Sequence, residues 1–263
     1  MIMCKVYAVA SQKGGVAKTT TAENLGIGLV RKGFRVLLID SDAQGSLTSS
    51  LGYTQPDNME ITLSTILEKE VNDEVYDRTS FGILHHEEGI DLIPCNIELS
   101  GLEVSFINVW NRERILNGYV EKLRKHYDFI IIDSGPSLGL MTINVLAASD
   151  RVIIPVQAAF LSIKGLEQLI RTIGRVKKGL NPRLGIEGIL ITMLDERTNF
   201  AKGVMEILGE KFGSYINIFK NRIPFSVKVA ESSAEGVSIY RHDPKGKVAA
   251  AYTGFSEEVL ANV

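Results

Sequence analysis

The 263-residue chain reads as an α/β protein with a doubly wound, mostly parallel sheet flanked by helices. Three observations predict this. Short runs rich in Val and Ile alternate with longer amphipathic stretches along the chain. The runs are continuously apolar, as strands buried on both faces must be, rather than alternating with polar residues. A glycine-rich turn follows the first run, and two later runs end in Asp, at the strand ends where such sheets hold ligands.

In order, the predicted strands are Val6–Ala10, Val36–Ile39, Ile90–Ile93, Phe129–Ile132, Val152–Val156 and Ile189–Met193. A helix is predicted from Thr19 to Lys32, stopped by Gly33, which suits a left-handed C-terminal turn. Further helices are predicted over Glu113 to Lys125, Ser162 to Lys178, Ala201 to Phe212 (stopped by Gly213) and Lys247 to Leu260. The stretch Tyr53 to Glu88 has the least pattern and reads as a surface excursion with a short helix near Leu63–Leu67. No repeat, low-complexity tract or separating linker is visible, so one domain over 1–263 is expected.

Composition excludes several classes. Hydrophobic residues make up 45% and charged residues 23%, which argues against a disordered chain. No apolar run reaches the ~18 residues of a membrane helix. The opening Met1-Ile2-Met3-Cys4-Lys5-Val6 has no signal-peptide layout. Cys4 and Cys95 lack metal-ligand spacing and imply a reducing cytoplasm. The formal net charge of −2 hides an asymmetry: Arg197 to Lys247 holds nine basic and five acidic residues. Arg171 to Arg183 adds five basic residues and no acid. The C-terminal third is therefore the candidate face for an anionic partner, against the plain alternative of a solvated lysine-bearing surface.

The segment Val9-Ala10-Ser11-Gln12-Lys13-Gly14-Gly15-Val16-Ala17-Lys18-Thr19-Thr20 carries the most chemistry. Gly14 and Gly15 allow backbone N–H groups to curl around phosphate oxygens, and a helix N-terminus adds partial positive charge. Lys18 is placed to reach β- and γ-phosphates, and the Thr19 hydroxyl to ligate Mg²⁺. The strict P-loop spacing is not met, since Gln12 and Ala17 stand where it wants glycine, and a second lysine, Lys13, adjoins the glycines. Val36-Leu37-Leu38-Ile39-Asp40-Ser41-Asp42 ends a strand in two acids suited to facing Mg²⁺ and a γ-phosphate; the same acids would also serve as helix caps. Phe129-Ile130-Ile131-Ile132-Asp133 has the form of a Walker B strand, whose acid holds Mg²⁺.

Lys13-Gly14-Gly15-Val16-Ala17-Lys18-Thr19-Thr20 resembles the deviant P-loop of the ParA/MinD ATPases, with Ala17 in place of the usual glycine. Asp40-Ser41-Asp42-Ala43-Gln44-Gly45 and Asp133-Ser134-Gly135-Pro136-Ser137 resemble that family's second and third motifs, with Ala43 and Gly135 where prolines are usual. The likeness runs on through Pro155-Val156-Gln157, Met193 to Asn199, Ile223-Pro224 to Ser232, and Asp243-Pro244. The resemblance implies an Mg²⁺-dependent ATPase of the deviant Walker A type. It places residues 13–20, Met193 and Pro224 at the nucleotide, and Thr19, Asp40 and Asp133 around the metal. Lys18 and Asp42 are implied in catalysis, Asp42 on the attacking water, and Lys13 across a dimer interface.

Among subfamilies, the chain resembles the short ParA type. A membrane-binding MinD-like tail would be basic, whereas the stretch after Lys247 has two acids and no base. With the P-loop starting at Lys13, no preceding DNA-binding domain is expected. The resemblance then implies a cytoplasmic, nucleoid-associated ATP-dependent homodimer that binds double-stranded DNA without sequence preference, answers to a ParB-like partner, and does not bind membrane. Arg197 and Lys228 fall where short ParA proteins use arginines against DNA; Lys220 and Arg222 lie nearby, and Phe225 replaces a further arginine. Two rival readings are a MinD-like membrane-associated regulator and an ATP-dependent amide-forming enzyme.

Overall fold

The structure, a computed structural model, describes residues 3–157, 162–195 and 199–262. Among the described residues seven strands form one sheet in the order β3-β4-β2-β5-β1-β6-β7. They are β1 (Lys5–Val9), β2 (Val36–Ser41), β3 (Leu84–His85), β4 (Asp91–Ile93), β5 (Phe129–Ser134), β6 (Arg151–Gln157) and β7 (Gly185–Thr192). All neighbours pair in parallel except β3, which runs antiparallel along β4 at the edge. The chain places β2 to one side of β1 and β6 to the other, so the order reverses at β1 and opens a crevice beyond its carboxyl end.

The central strands carry unbroken apolar runs because both faces are covered. On one face Val6, Ala8, Leu37, Ile39, Ile130, Ile132, Val152 and Ile154 join one core. On the other, Tyr7, Val9, Val36, Leu38, Phe129, Ile131 and Ile153 join a second. Successive side chains point to opposite faces, so one continuous run feeds both layers.

The first layer is covered by α3 (Leu63–Val71), α4 (Glu98–Ser105), α5 (Ile115–Leu123), α6 (Leu140–Ala148), α7 (Ser162–Gly179) and α8 (Asn199–Phe212). The second is covered by α1 (Lys18–Val30), α2 (Ser46–Ser50), α10 (Ile239–His242) and α11 (Lys247–Ala261), with α9 (Lys228–Glu235) packed beside α2 and α10.

Several sequence boundaries need correction. The predicted helix over Glu113 to Lys125 is a 3₁₀ turn, Arg112–Arg114, followed by α5, which ends at Leu123. Strand β7 begins at Gly185, four residues before its predicted start, and stops before Met193, whose φ of 51° leaves the strand region. Helix α1 ends at Val30; Gly33 lies in the turn beyond, where its N–H bonds Val30 O and its φ is 89°. The excursion from Tyr53 to Glu88 is better ordered than its sequence suggests, with a 3₁₀ turn at Pro56–Asn58, α3 running on to Val71, and the edge strand β3.

Candidate nucleotide site

The P-loop leaves β1 and turns into α1 at the centre of the sheet. Gly15 and Ala17 both have positive φ, 67° and 61°. Gly15 needs its missing Cβ for that conformation. Ala17, the residue before α1, adopts it despite its methyl group, with ψ 38°. Val16 is 1% exposed, and its carbonyl accepts the Thr192 hydroxyl at 2.9 Å, which moors the loop to the end of β7.

A cavity of about 510 Å³ opens over this loop. Gly14, Gly15, Ala17, Lys18, Thr19 and Thr20 form its floor, with Asp42, Pro136, Met193 and Pro224 in the walls. Lys13 does not line it; its ammonium lies 3.5 Å from Gln157 Oε1 at the end of β6. Lys18 is 8% exposed, and burial pushes its ammonium below the usual lysine range, against the pull of Asp133 and Asp42. A lysine buried this deeply is matched to an anionic ligand.

The acids at the strand ends divide sharply. In the β2–β5 register Asp40 stands opposite Asp133. Thr19 donates its hydroxyl to Asp133 Oδ2 at 2.7 Å, while Asp133 Oδ1 is buried with no hydrogen-bond partner. Burial, with Asp40 alongside, pushes the Asp133 carboxyl up to about 8. An orphaned carboxylate oxygen beside a threonine hydroxyl, short of positive charge, fits a hard divalent cation such as Mg²⁺.

Asp40 does not fit the metal-shell role expected for it. Its Oδ2 accepts both the backbone N–H and the hydroxyl of Thr48, at 2.9 and 2.8 Å, and its Oδ1 accepts the Asp42 N–H at 3.2 Å. Asp40 is therefore an anchor that ties α2 and the Asp42 turn to β2, which is the capping alternative realised. Thr48 in turn receives the Cys95 N–H at 3.0 Å. Asp42, on the cavity wall, is the acid left facing the ligand space.

The far wall comes from residues 223–233. Ile223, Phe225, Ser226, Val227, Val229, Ala230 and Ser233 line the cavity, as does Tyr252 of α11. The Ile223-Pro224 segment pointed there, but nothing in the apolar pattern of α11 singles out Tyr252. Phe225, 61% exposed, stands between this cavity and a neighbouring cleft of about 640 Å³ lined by Asp195, Asn221, Arg222, Lys247 and others.

The expected DNA contacts are less well gathered. Arg197 lies outside the described residues. Lys220 and Arg222 are exposed, and Arg222 lines the second cleft. Lys228 is exposed too, but its ammonium sits 2.9 Å from Glu231.

A family model described as an AAA domain matches residues 4–186. The sporulation initiation inhibitor protein Soj of Bacillus subtilis is 40% identical over 99% of this chain and 100% of its own length. The chromosome partitioning protein ParA of Myxococcus xanthus is 40% identical over 97% of this chain and 88% of its own. The chain belongs to the ParA/Soj family of chromosome-partitioning ATPases. Within this ParA/Soj family member, the deviant P-loop and both acidic strand ends stand where the sequence placed them. Among solved structures, one described as cobyrinic acid a,c-diamide synthase from Mycobacterium smegmatis with bound ADP and magnesium aligns with a TM-score of 0.85. It is 35% identical and covers 99% of this chain and 95% of its own. A plasmid partition protein of Borrelia burgdorferi bound to AMPPNP aligns at TM-score 0.78 and 26% identity, covering 98% and 99%.

Proposed function

We propose that the chain, acting as one ATPase domain over residues 1–263, is the nucleotide-driven motor of a DNA partition system. ATP binds in the cavity over the P-loop, with residues 13–20 around the phosphates and Met193 and Pro224 beside the rest of the nucleotide. Thr19 and Asp133 hold Mg²⁺, which supplies charge neutralisation at the β/γ-phosphates when bound. Lys18 pairs with the same phosphates, and Asp42 orients the attacking water and accepts its proton. The single observation that carries this reading is the convergence of buried Lys18, Thr19 and Asp42 on one cavity, with Thr19 bonded to Asp133, whose second oxygen is orphaned.

Lys13 reaches a second copy, so ATP drives a homodimer. The dimer binds double-stranded DNA without sequence preference, through Arg197, Lys220, Arg222 and Lys228. A ParB-like partner speeds hydrolysis and so releases it, and the protein works in the cytoplasm on the nucleoid. Support for the family-level part comes from the Myxococcus xanthus relative named as a chromosome partitioning protein, and for the cofactors from the relatives solved with ADP and magnesium or AMPPNP.

A MinD-like membrane role is less well supported. The apolar residues Val248, Tyr252, Phe255 and Val259 of α11 are all buried in the second core, so that helix has no unpartnered apolar face of this kind to lay on lipid. Among the described residues no helix is long and apolar enough to cross a membrane.

The test is sedimentation with random-sequence DNA in Mg-ATP, Mg-ADP or no nucleotide, beside light scattering. Dimerisation and DNA binding in ATP alone are expected, and Asp42→Ala should hold the dimer without turnover. A wild-type protein that stays monomeric in Mg-ATP, or whose turnover requires a small amide-forming acceptor, would overturn the reading.

A further inference from the structure

The loop Gly135–Gly139 joins β5, which ends just past Asp133, to α6. Its upstream end touches the site: a Cβ on Gly135 would lie 3.5 Å from the Asp42 carboxyl. Its downstream end is the N-terminus of α6, where backbone N–H groups have no partner within the helix. The residue before α6, Gly139, has no side chain to cap it.

The missing acceptor comes from another helix. Glu103 of α4 accepts the Met141 N–H through Oε1 at 2.8 Å. A carboxylate there is doubly suited, because it fills an orphan donor and faces the positive end of the helix dipole. The same carboxylate lies alongside the loop itself, since a Cβ on Gly139 would meet Glu103 Oε1 at 3.5 Å. A second clasp, the Thr142 hydroxyl donating to Ser137 O at 2.6 Å, folds the loop back onto α6. Asp42, Gly135, Pro136, Ser137, Met141 and Glu103 then share one cleft of about 400 Å³ on the side of Asp42 away from the P-loop.

We propose that Glu103 is a positioning residue for ATP hydrolysis. By fixing the start of α6 it holds the loop whose other end abuts Asp42, and so keeps that carboxylate in register with the γ-phosphate. Lys18 and Thr19 open α1, behind a loop moored to β7, and of the clasped loop Pro136 alone lines the nucleotide cavity, so most of the nucleotide's contacts do not depend on the clasp. Loss of the clasp therefore acts chiefly on turnover. Helix α4 is the lever arm of this arrangement. Leu99 and Leu102 anchor it in the core, while Ile97 just before it, Val104, and Ile107 just beyond it are more than half exposed, at 52%, 67% and 56%. Displacement of α4 would reach Asp42 through Glu103.

This inference rests on the proposed ATPase reading, and the experiment separates the two. Wild type, Glu103→Ala and Glu103→Gln are compared by steady-state hydrolysis of Mg-ATP, by calorimetric nucleotide affinity and by amide hydrogen exchange without nucleotide. The Ala variant should lose roughly ten-fold in kcat with KM unchanged. Exchange at Met141 and its loop should speed up by a similar roughly ten-fold factor. Glutamine keeps an oxygen acceptor, so it should restore most of both. Unchanged kcat in Glu103→Ala, a rise in KM that accounts for the loss, or a Gln variant as impaired as Ala would each overturn the assignment. Absence of turnover in wild type would instead count against the ATPase reading, while the exchange measurement still reports whether Glu103 holds the loop.

Discussion

At Ala17 a methyl-bearing residue occupies the left-handed region just before α1, where glycine is at ease. Backbone strain of this kind persists where the surroundings fix it, and here Thr21 N–H bonds Ala17 O while Val16 is moored to Thr192. Ala17→Gly should therefore stabilise the protein by about 0.5–1 kcal/mol, after the extra freedom that glycine gives the unfolded chain. A thermal melt without nucleotide measures this, and an unchanged or lower midpoint would remove the strain argument. Glu23 poses a different local problem. Both its carboxylate oxygens are buried without a hydrogen-bond partner on α1. Burial pushes its carboxyl up to about 8 from 4.5, and Glu88 and Asp133 add to the rise. Between those two values the native state holds a proton that the unfolded chain has released. Stability from this group is thus present at low pH and falls as pH rises through that window, by up to about 1.4 kcal/mol per pH unit. Denaturant midpoints for wild type and Glu23→Gln should diverge from pH 5 to pH 8, the variant becoming relatively more stable. Parallel curves would show that Glu23 does not titrate in this range. Residues such as Lys18, Asp42 and Asp133 were legible because strand, turn and helix start fix their relations within a few positions. Thr48, Glu103 and Tyr252 were not, because the groups they serve come from elsewhere in the chain.

The strands were the most legible elements, because burial on both faces leaves an unbroken Val/Ile run in the sequence. Helices α4, α6 and α9 were absent from the sequence reading for physical reasons. Helix α6 is buried over most of its surface, so it shows no apolar stripe to read. Helices α4 and α9 are short, and Ser in both, with Gly in α4, dilutes their pattern. Asp40 shows the limit of motif reading: the strand-end acid was visible, but its engagement by Thr48 depends on where α2 folds. Helix α9 is held by an arrangement of side chains as much as by packing. His242, at the end of α10, places Nδ1 2.7 Å from Glu235 and Nε2 3.2 Å from Glu231, and Glu231 also meets Lys228. These carboxylates raise the imidazole above its usual 6.5, Glu235 foremost. The tie is complete below the unfolded value and is lost as pH rises through the folded one. Amide exchange in α9, corrected for intrinsic rates, should be faster at pH 9 than at pH 6 in wild type. His242→Asn should abolish that difference; a difference that survives would place its origin in another group.

For the whole molecule, the proposed DNA surface depends on assembly. In the sequence the cations after residue 196 are interspersed with acids, and Glu231 sits against Lys228, so the proposed surface of a single copy would offer a weak field to a duplex. In the proposed dimer two copies would double that field, so ATP would control DNA binding through assembly. Replacing both Arg197 and Lys228 by Glu should abolish binding to a random duplex while leaving ATP-dependent dimerisation intact. Wild-type affinity should drop steeply with added salt. Anisotropy titrations read both, and wild-type affinity in the double variant would move attention to Arg171–Arg183. The sheet also joins distant parts of the chain. Thr21 of α1 lies 3.4 Å from the Tyr252 hydroxyl, Ser256 packs where a Cβ on Gly28 would fall, and Lys32 pairs with Glu257 at 2.9 Å. The helix that carries Lys18 and Thr19 is thus backed by a helix made more than two hundred residues later. During synthesis α1 lacks its covering helix until Lys247–Ala261 has been made, so the helix that bears Lys18 and Thr19 gains its full packing only when that later segment folds against it.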